Sequence, residues 1–318
     1  MDVARELSHV AVVDADGWVT AERPGAWVLL RRFLAFPLLL ARHRDLITST
    51  VRRELETRFR GTLLGWVWPL VYPAFMFLVY YFIFAQLLDL KIPNLLEHQK
   101  PAMGIFMFVG VLVWSGFGEA VLRSCSSIVD NGNLIKKLSF PTELLPLNVT
   151  LVSHVTMLFG VVAYVVATYV SGLFLEHPIW PPPGARLLWL APIFVLQVLF
   201  AYGLGLLLAT LQVFLRDTVQ LATLLMTVWM FVSPVFWVSN ATVMPSIEPY
   251  LDSLRPNPLY HLLFAWRWVL MSGEPASAFE GGDTFGNSLA TFALWAVGTA
   301  VVGYLFFLRS QRRFADEV

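Results

Sequence analysis

The 318-residue chain is 57% hydrophobic and only 14% charged, against roughly 45–50% and about 25% for soluble domains, which excludes an ordinary water-soluble fold and points to an all-α polytopic membrane protein. Its 22 Lys and Arg balance 22 Asp and Glu, so no net basic charge argues for a nucleic-acid partner. The single cysteine, Cys125, excludes an internal disulfide and a thiolate metal cluster and reads as a small core residue.

Residues 1–26 are soluble in character. Val10–Val13, Asp14-Ala15-Asp16-Gly17 and Trp18–Thr20 read either as a hairpin around an Asp-Gly turn or as a tail without fixed structure. The apolar run Trp27–Leu40 is short and broken by Arg31, Arg32 and Pro37, which suits an interfacial or packed segment better than a span. No signal peptide is expected ahead of the basic region. Residues 1–41 therefore read as an N-terminal cytoplasmic extension.

Residues 42–62 read as an amphipathic interface helix. Ile47, Val51, Leu55 and Phe59 recur every fourth residue and line one face, while Arg52, Arg53, Glu56 and Arg60 take the other. Asp45 stands where an N-cap would. The chain then passes through Gly61-Thr62-Leu63-Leu64-Gly65 into Trp66–Leu88. That uncharged run of about 23 residues is long enough at ~1.5 Å per residue to cross the hydrocarbon core.

Residues 63–318 form the predicted six-span transmembrane domain. Further spans are expected over 102–122, 143–173, 187–215, 218–238 and 287–308, six in all. Between the second and third lies the polar loop 123–142, with Asn131 and the pair Lys136-Lys137. His154, in the third span, reads as a hydrogen-bonded core histidine rather than a proton relay. Gly203 and Gly205 allow close helix contact in the fourth. Arg216-Asp217 makes a very short turn before the fifth.

Segment 240–284 is external by this count, yet it holds Pro256-Asn257-Pro258-Leu259-Tyr260 and an apolar stretch to Met271. About 14 residues cannot cross a bilayer, so a re-entrant or interfacial helix is expected, tolerated at depth only where protein covers its broken backbone. Arg309, Arg312 and Arg313 stop the last span. About 17 of the 22 lysines and arginines then fall on one side. Only Lys91, Lys100, Arg186, Arg255 and Arg267 fall on the other, which places both termini in the cytoplasm.

No motif supports catalysis. There is no G-x-x-x-x-G-K-[ST] loop, so the chain is not expected to bind ATP or any other cofactor itself, and neither a His-Glu-x-x-His site nor a Gly-x-Ser-x-Gly elbow occurs. Glu119, Glu143, Arg216 and Asp217, beside span ends, read as structural anchors or as contacts to a cytoplasmic partner. Many tryptophans fall near span ends, as an interfacial belt would place them. A second reading takes Tyr72, Phe75, Tyr80 and Tyr81 with Trp229, Phe231, Phe236 and Trp237 as rings that stack on sugar faces along a glycan channel.

Four motifs in order resemble the permeases of polysaccharide-exporting ABC transporters, which move O-antigen, capsule-type or teichoic-acid polymers. They are Arg58-Phe59-Arg60-Gly61-Thr62-Leu63-Leu64-Gly65-Trp66-Val67-Trp68; Asn133-Leu134-Ile135-Lys136-Lys137 with Phe140-Pro141; Phe214-Leu215-Arg216-Asp217 with Ser233-Pro234-Val235-Phe236; and Asn257-Pro258-Leu259-Tyr260. The extension before residue 27, Phe59 and Thr62 depart from the family pattern.

The resemblance implies a channel formed with a second copy of the chain, in a bacterial inner membrane. It also implies two docked ATP-binding subunits, which bind the ATP, and an undecaprenyl-type lipid-linked glycan as cargo. It places Arg52, Arg53, Arg58, Arg60, Asn131, Lys136, Lys137, Glu143, Arg216 and Asp217 at the ATPase-coupling surface, and Pro256, Asn257, Pro258 and Tyr260 at an external gate. The rival expectations are export of a small hydrophobic drug or lipid, and a membrane glycosyl- or acyltransferase. Dispersal of the external acids Glu176, Glu248, Asp252, Glu274, Glu280 and Asp283 disfavours the last.

Overall fold

The computed structural model describes residues 11–13, 19–21, 35–87, 102–137, 141–174, 182–241, 244–271 and 284–317. The expected external loop with Lys91 and Lys100, residues 138–140, 175–181 and 272–283, and the side chain of Lys137 lie outside them. At the N-terminus β1 (Ala11–Val13) pairs antiparallel with β2 (Val19–Ala21), with Val12 opposite Thr20, so the hairpin reading is the one that forms. Its Asp-Gly turn is outside the described residues.

Helix α1 (Phe36–Arg42) is the packed form of the Trp27–Leu40 run, as far as that run is described. The Phe36 ring lies 5.5 Å from Tyr202, stacked, and 5.1 Å from Tyr304. A break at His43 separates α1 from α2 (Arg44–Phe59), the amphipathic helix. Its apolar face behaves as the spacing requires: Leu55 and Phe59 are buried at 8% exposure each, against Val152 and Val155, and Arg52, Arg53 and Arg60 face outward. Asp45 is not the N-cap. The helix starts one residue earlier, and Asp45 sits in the first turn, where a carboxylate still favours the positive end of the helix dipole.

Gly61 and Gly65 take φ of 77° and 50°. Side-chain-bearing residues rarely adopt that left-handed region, so these two glycines make the corner between α2 and the first span. The span is a composite of a 3-10 turn (Gly65–Val67), α3 (Trp68–Tyr80) and a wider π turn (Tyr81–Leu87). Pro69 and Pro73 are the buried residues of α3, and Tyr72, Phe75, Leu78 and Phe82 are exposed.

Helix α4 (Ala102–Ser126) leads through a 3-10 turn into the short α5 (Gly132–Lys137) and then α6 (Leu144–Phe174). Helix α7 (Leu190–Phe214) follows a 3-10 turn at Ala185–Trp189. Gly205 packs on Ser124 of α4, and a Cβ at Gly203 would come within 2.7 Å of the Ala300 backbone on the last long helix. The close contacts expected at both glycines are therefore made, with two different partners.

Helix α8 (Thr218–Val232) ends earlier than the fifth span expected over 218–238. Pro234 cannot continue the helical hydrogen bonds, and the chain turns at Ser233–Val235. At 15 residues α8 covers about 22 Å, short of the ~30 Å hydrocarbon core. Five helices are long and apolar enough to span a membrane among the described residues, and α8 is a shorter apolar helix beside them.

After a 3-10 turn (Pro245–Tyr250) and α9 (Leu251–Leu254) comes α10 (Pro258–Leu270). Every residue of α10 except Trp268 is buried, among α4, α7 and α11 (Phe285–Ser310). This is the covered re-entrant arrangement that a short apolar helix requires. A 3-10 turn and α12 (Phe314–Glu317) close the chain. A large core fills the middle of the bundle, and a second cluster around Ile128, Tyr202, Phe307 and Phe314 closes the end that carries α1, α2 and α5.

Candidate coupling surface, aromatic face and gate

At the basic end, α2 is strapped to α4 by charge. Arg58 Nη1 donates to Glu119 Oε1 at 2.7 Å, and Arg123 donates to the same oxygen at 3.3 Å and to Glu54. All four side chains are partly exposed, so each pair contributes on the order of 1 kcal/mol or less after solvent screening. Glu119 is thus an intrachain anchor. Glu54 and Arg123 were not singled out in the sequence, although the one-turn spacings Glu54–Arg58 and Glu119–Arg123 carried the signal.

The other residues of the expected coupling surface divide into two groups. Arg52, Arg53, Arg60, Lys136, Arg216 and Asp217 are exposed, with Arg52 bonded to Glu56 at 2.8 Å. Asn131 is half-buried, and its amide donates to the Ser127 carbonyl at 2.8 Å, fixing the turn that aims α5. Glu143 is buried. Its side chain accepts from Gln311 at 3.3 Å and its backbone carbonyl accepts from the Tyr202 hydroxyl at 3.1 Å. It therefore knits α6 to α7 and to the C-terminal segment from inside. The Arg216-Asp217 turn is clamped by Gln212, which donates to the Arg216 carbonyl at 3.1 Å and accepts from the Val219 N–H at 2.9 Å.

The eight rings expected along a channel do not share one face. Tyr72, Phe75 and Phe231 are 57%, 58% and 61% exposed, on the two least buried long apolar elements, α3 and α8. Tyr80, Tyr81, Phe236 and Trp237 are half-buried. Phe236 sits 6.5 Å from Tyr80 and 5.8 Å from Phe231, so these rings join the outer end of the first span to the end of α8. The Trp237 indole donates to the Phe231 carbonyl at 3.0 Å. Trp229 points inward instead: its ring lies 5.8 Å from Phe117, and its indole N–H donates to Asn257 Oδ1 at 2.8 Å.

Asn257 organises the expected gate. Its side-chain oxygen also caps α10 by accepting from Leu259 N–H at 3.1 Å, and its amide donates to Ser233 Oγ at 2.9 Å. Pro258 at the first helical position suits a start there. Pro258 and Tyr260 are buried and Pro256 is exposed.

The most unusual group of this region is Arg267. Its buried guanidinium lies 3.4 Å from the centre of the Phe106 ring. It donates to the carbonyls of Phe106 (3.2 and 3.3 Å), Pro234 (2.6 Å) and Val235 (3.0 Å). Beside it, Trp266 donates to Gln197 at 2.6 Å, and the Tyr164 hydroxyl donates to the Leu270 carbonyl at 3.2 Å. The rule that a charge inside an apolar stretch has a specific partner would have marked Arg267.

A bundle with a filled centre, a basic end and a buried re-entrant helix is matched by known sequences. Residues 45–271, from α2 to the end of α10, match the ABC-2 type transporter family. The chain is 26% identical over 273 residues to the O-antigen export system permease protein RfbA of Klebsiella pneumoniae, covering 86% of this chain and 94% of that protein. To the protein of the same name from Myxococcus xanthus it is 28% identical over 285 residues, 88% and 97% of the two chains. The chain belongs to the ABC-2 type transporter family and is a multi-pass membrane protein of it.

Proposed function

We propose that the chain is the membrane subunit of an ATP-driven exporter that moves a lipid-linked, O-antigen-like polysaccharide out of the bacterial cytoplasm. In this reading two copies form the channel and two ATP-binding subunits dock at the basic end, which faces the cytoplasm because basic residues beside spans stay inside. The names of the relatives support the cargo. The observation that carries the architecture is the filled centre of one protomer. Phe106, Phe117, Phe200 and Trp266 are fully buried there, so a sugar polymer has no path through a single copy.

The remaining route lies between two copies, along the exposed aromatic faces of α3 and α8. Rings there stack on sugar faces without requiring one linkage. Closure of the ATP-binding subunits would press on α5 and on the exposed arginines of α2, favouring one of two arrangements of the spans. The chain needs no cofactor of its own in this scheme. Deleting the gene in a polysaccharide-producing host tests it: lipid-linked glycan should accumulate inside and vanish from the surface. Normal surface glycan with loss of tolerance to a hydrophobic compound would instead favour a small-molecule exporter.

A further inference from the structure

Two cavities lie end to end inside one protomer, between α3 and the pair α4 and α6. The first, of about 360 Å³, opens beneath α2 and is bounded by Arg58, Glu119, Ser153, Trp68 and Pro73. The second, of about 420 Å³, continues past Pro73 and Phe108 between Phe77, Ile105 and Tyr164. Pro73 and Phe108 line both. From Trp68 to Leu78 helix α3 rises about 15 Å, the depth of hydrocarbon in one leaflet.

Charge and polarity are distributed unevenly along this cleft. The lining of the first cavity carries one cation, Arg58, and one anion, Glu119, and that of the second carries neither. Ser153 is only 1% exposed, and its hydroxyl has no hydrogen-bond partner. A buried hydroxyl in that state is costly unless a ligand supplies the partner. A neutral pair of opposite charges, a spare donor and an apolar groove of leaflet depth together describe the shape of a zwitterionic lipid.

We propose that this cleft binds a phospholipid of the phosphatidylethanolamine class from the leaflet at the basic end. Its phosphate meets Arg58, whose guanidinium carries five N–H donors. Its primary ammonium meets Glu119, and an oxygen of its head region takes the Ser153 hydroxyl. One acyl chain runs past Pro73 and Phe108 to Tyr164, completing the seat of α3. Arg58 and Arg123 reach Glu119 through Oε1; a quaternary ammonium brings this carboxylate no further N–H, and a purely anionic headgroup brings it no donor at all. This inference is independent of the transported cargo.

The test uses the full-length chain in nanodiscs of equal phosphatidylethanolamine, phosphatidylglycerol and phosphatidylcholine. The chain is transferred to mild detergent, and the retained lipid is measured by mass spectrometry. Phosphatidylethanolamine should be retained about tenfold over the others, and Ser153→Ala should reduce that retention about tenfold, as loss of one hydrogen bond to a charged group predicts. Arg58→Gln should abolish the headgroup preference. Equal retention of the three lipids, a preference for phosphatidylglycerol, or retention unchanged in Ser153→Ala would overturn the proposal. Ser153→Ala removes one oxygen and leaves the ion pairs in place, so it reports on binding even if Arg58→Gln fails to fold.

Discussion

Trp229 donates its indole N–H to the side-chain oxygen of Asn257 at 2.8 Å, which ties α8 to the first turn of α10. The same asparagine caps α10 and holds Ser233, where α8 ends. The helix bearing the exposed aromatic face and the re-entrant helix are therefore joined through one side chain. Asn257→Ala removes the cap and leaves Trp229 with a partly buried, unpaired donor, so a loss of about 1–3 kcal/mol is expected. Asn257→Asp keeps the acceptor and should cost less. Melting temperatures of the purified variants check the order.

Arg267 holds three segments together through backbone carbonyls and the Phe106 ring. An ammonium is a compact point charge and cannot reproduce the planar fork. Arg267→Lys and Arg267→Met should each destabilise by on the order of 3 kcal/mol. Gly110→Ala should have a similar signature, because a Cβ there would stand 2.5 Å from Arg267 Nη2 and 2.8 Å from the Val235 carbonyl. Limited proteolysis of the 234–257 segment should accelerate in all three variants.

Arg58 and Glu119 face each other across the α2–α4 contact. Single charge reversals should weaken the strap, and the swap Arg58→Glu with Glu119→Arg should restore part of it. The coupling energy should be about 0.5–1 kcal/mol and should shrink in high salt. A swap that restores stability yet leaves ATP-driven export impaired would show that Arg58 also contacts a partner.

Arg52 and Arg53 are exposed and bury nothing of their own. Replacing both with Glu should leave stability within about 0.5 kcal/mol while lowering the ATPase activity recovered with the ATP-binding subunit. Unchanged ATPase activity and co-purification would remove them from the coupling surface.

Much of this was legible in the sequence, for identifiable reasons. The amphipathic face of α2 was visible because Ile47, Val51, Leu55 and Phe59 share one period while the arginines fall outside it. The re-entrant α10 was visible because an apolar run too short to span has few alternatives. The orientation of the rings was not legible: α8 carries no charge to mark its outer side, so the sequence did not tell Trp229, turned inward, from Phe231, turned outward. The early end of α8 was written in Pro234, but the apolar run to Val238 masked it. Glu143 read as an anchor or a surface contact alike, because sequence carries no sign of its distant partners, Gln311 and Tyr202.

The most direct measurement concerns the route of the cargo. A photoreactive residue is placed at Phe75 or Phe231, and another at Trp266 in the filled centre, in cells making the polysaccharide. Irradiation should give polysaccharide-bearing adducts from Phe75 and Phe231, dependent on an active ATP-binding subunit, and none from Trp266. Adducts to lipid alone at the two outer positions, or polysaccharide captured at Trp266, would contradict a path between two copies.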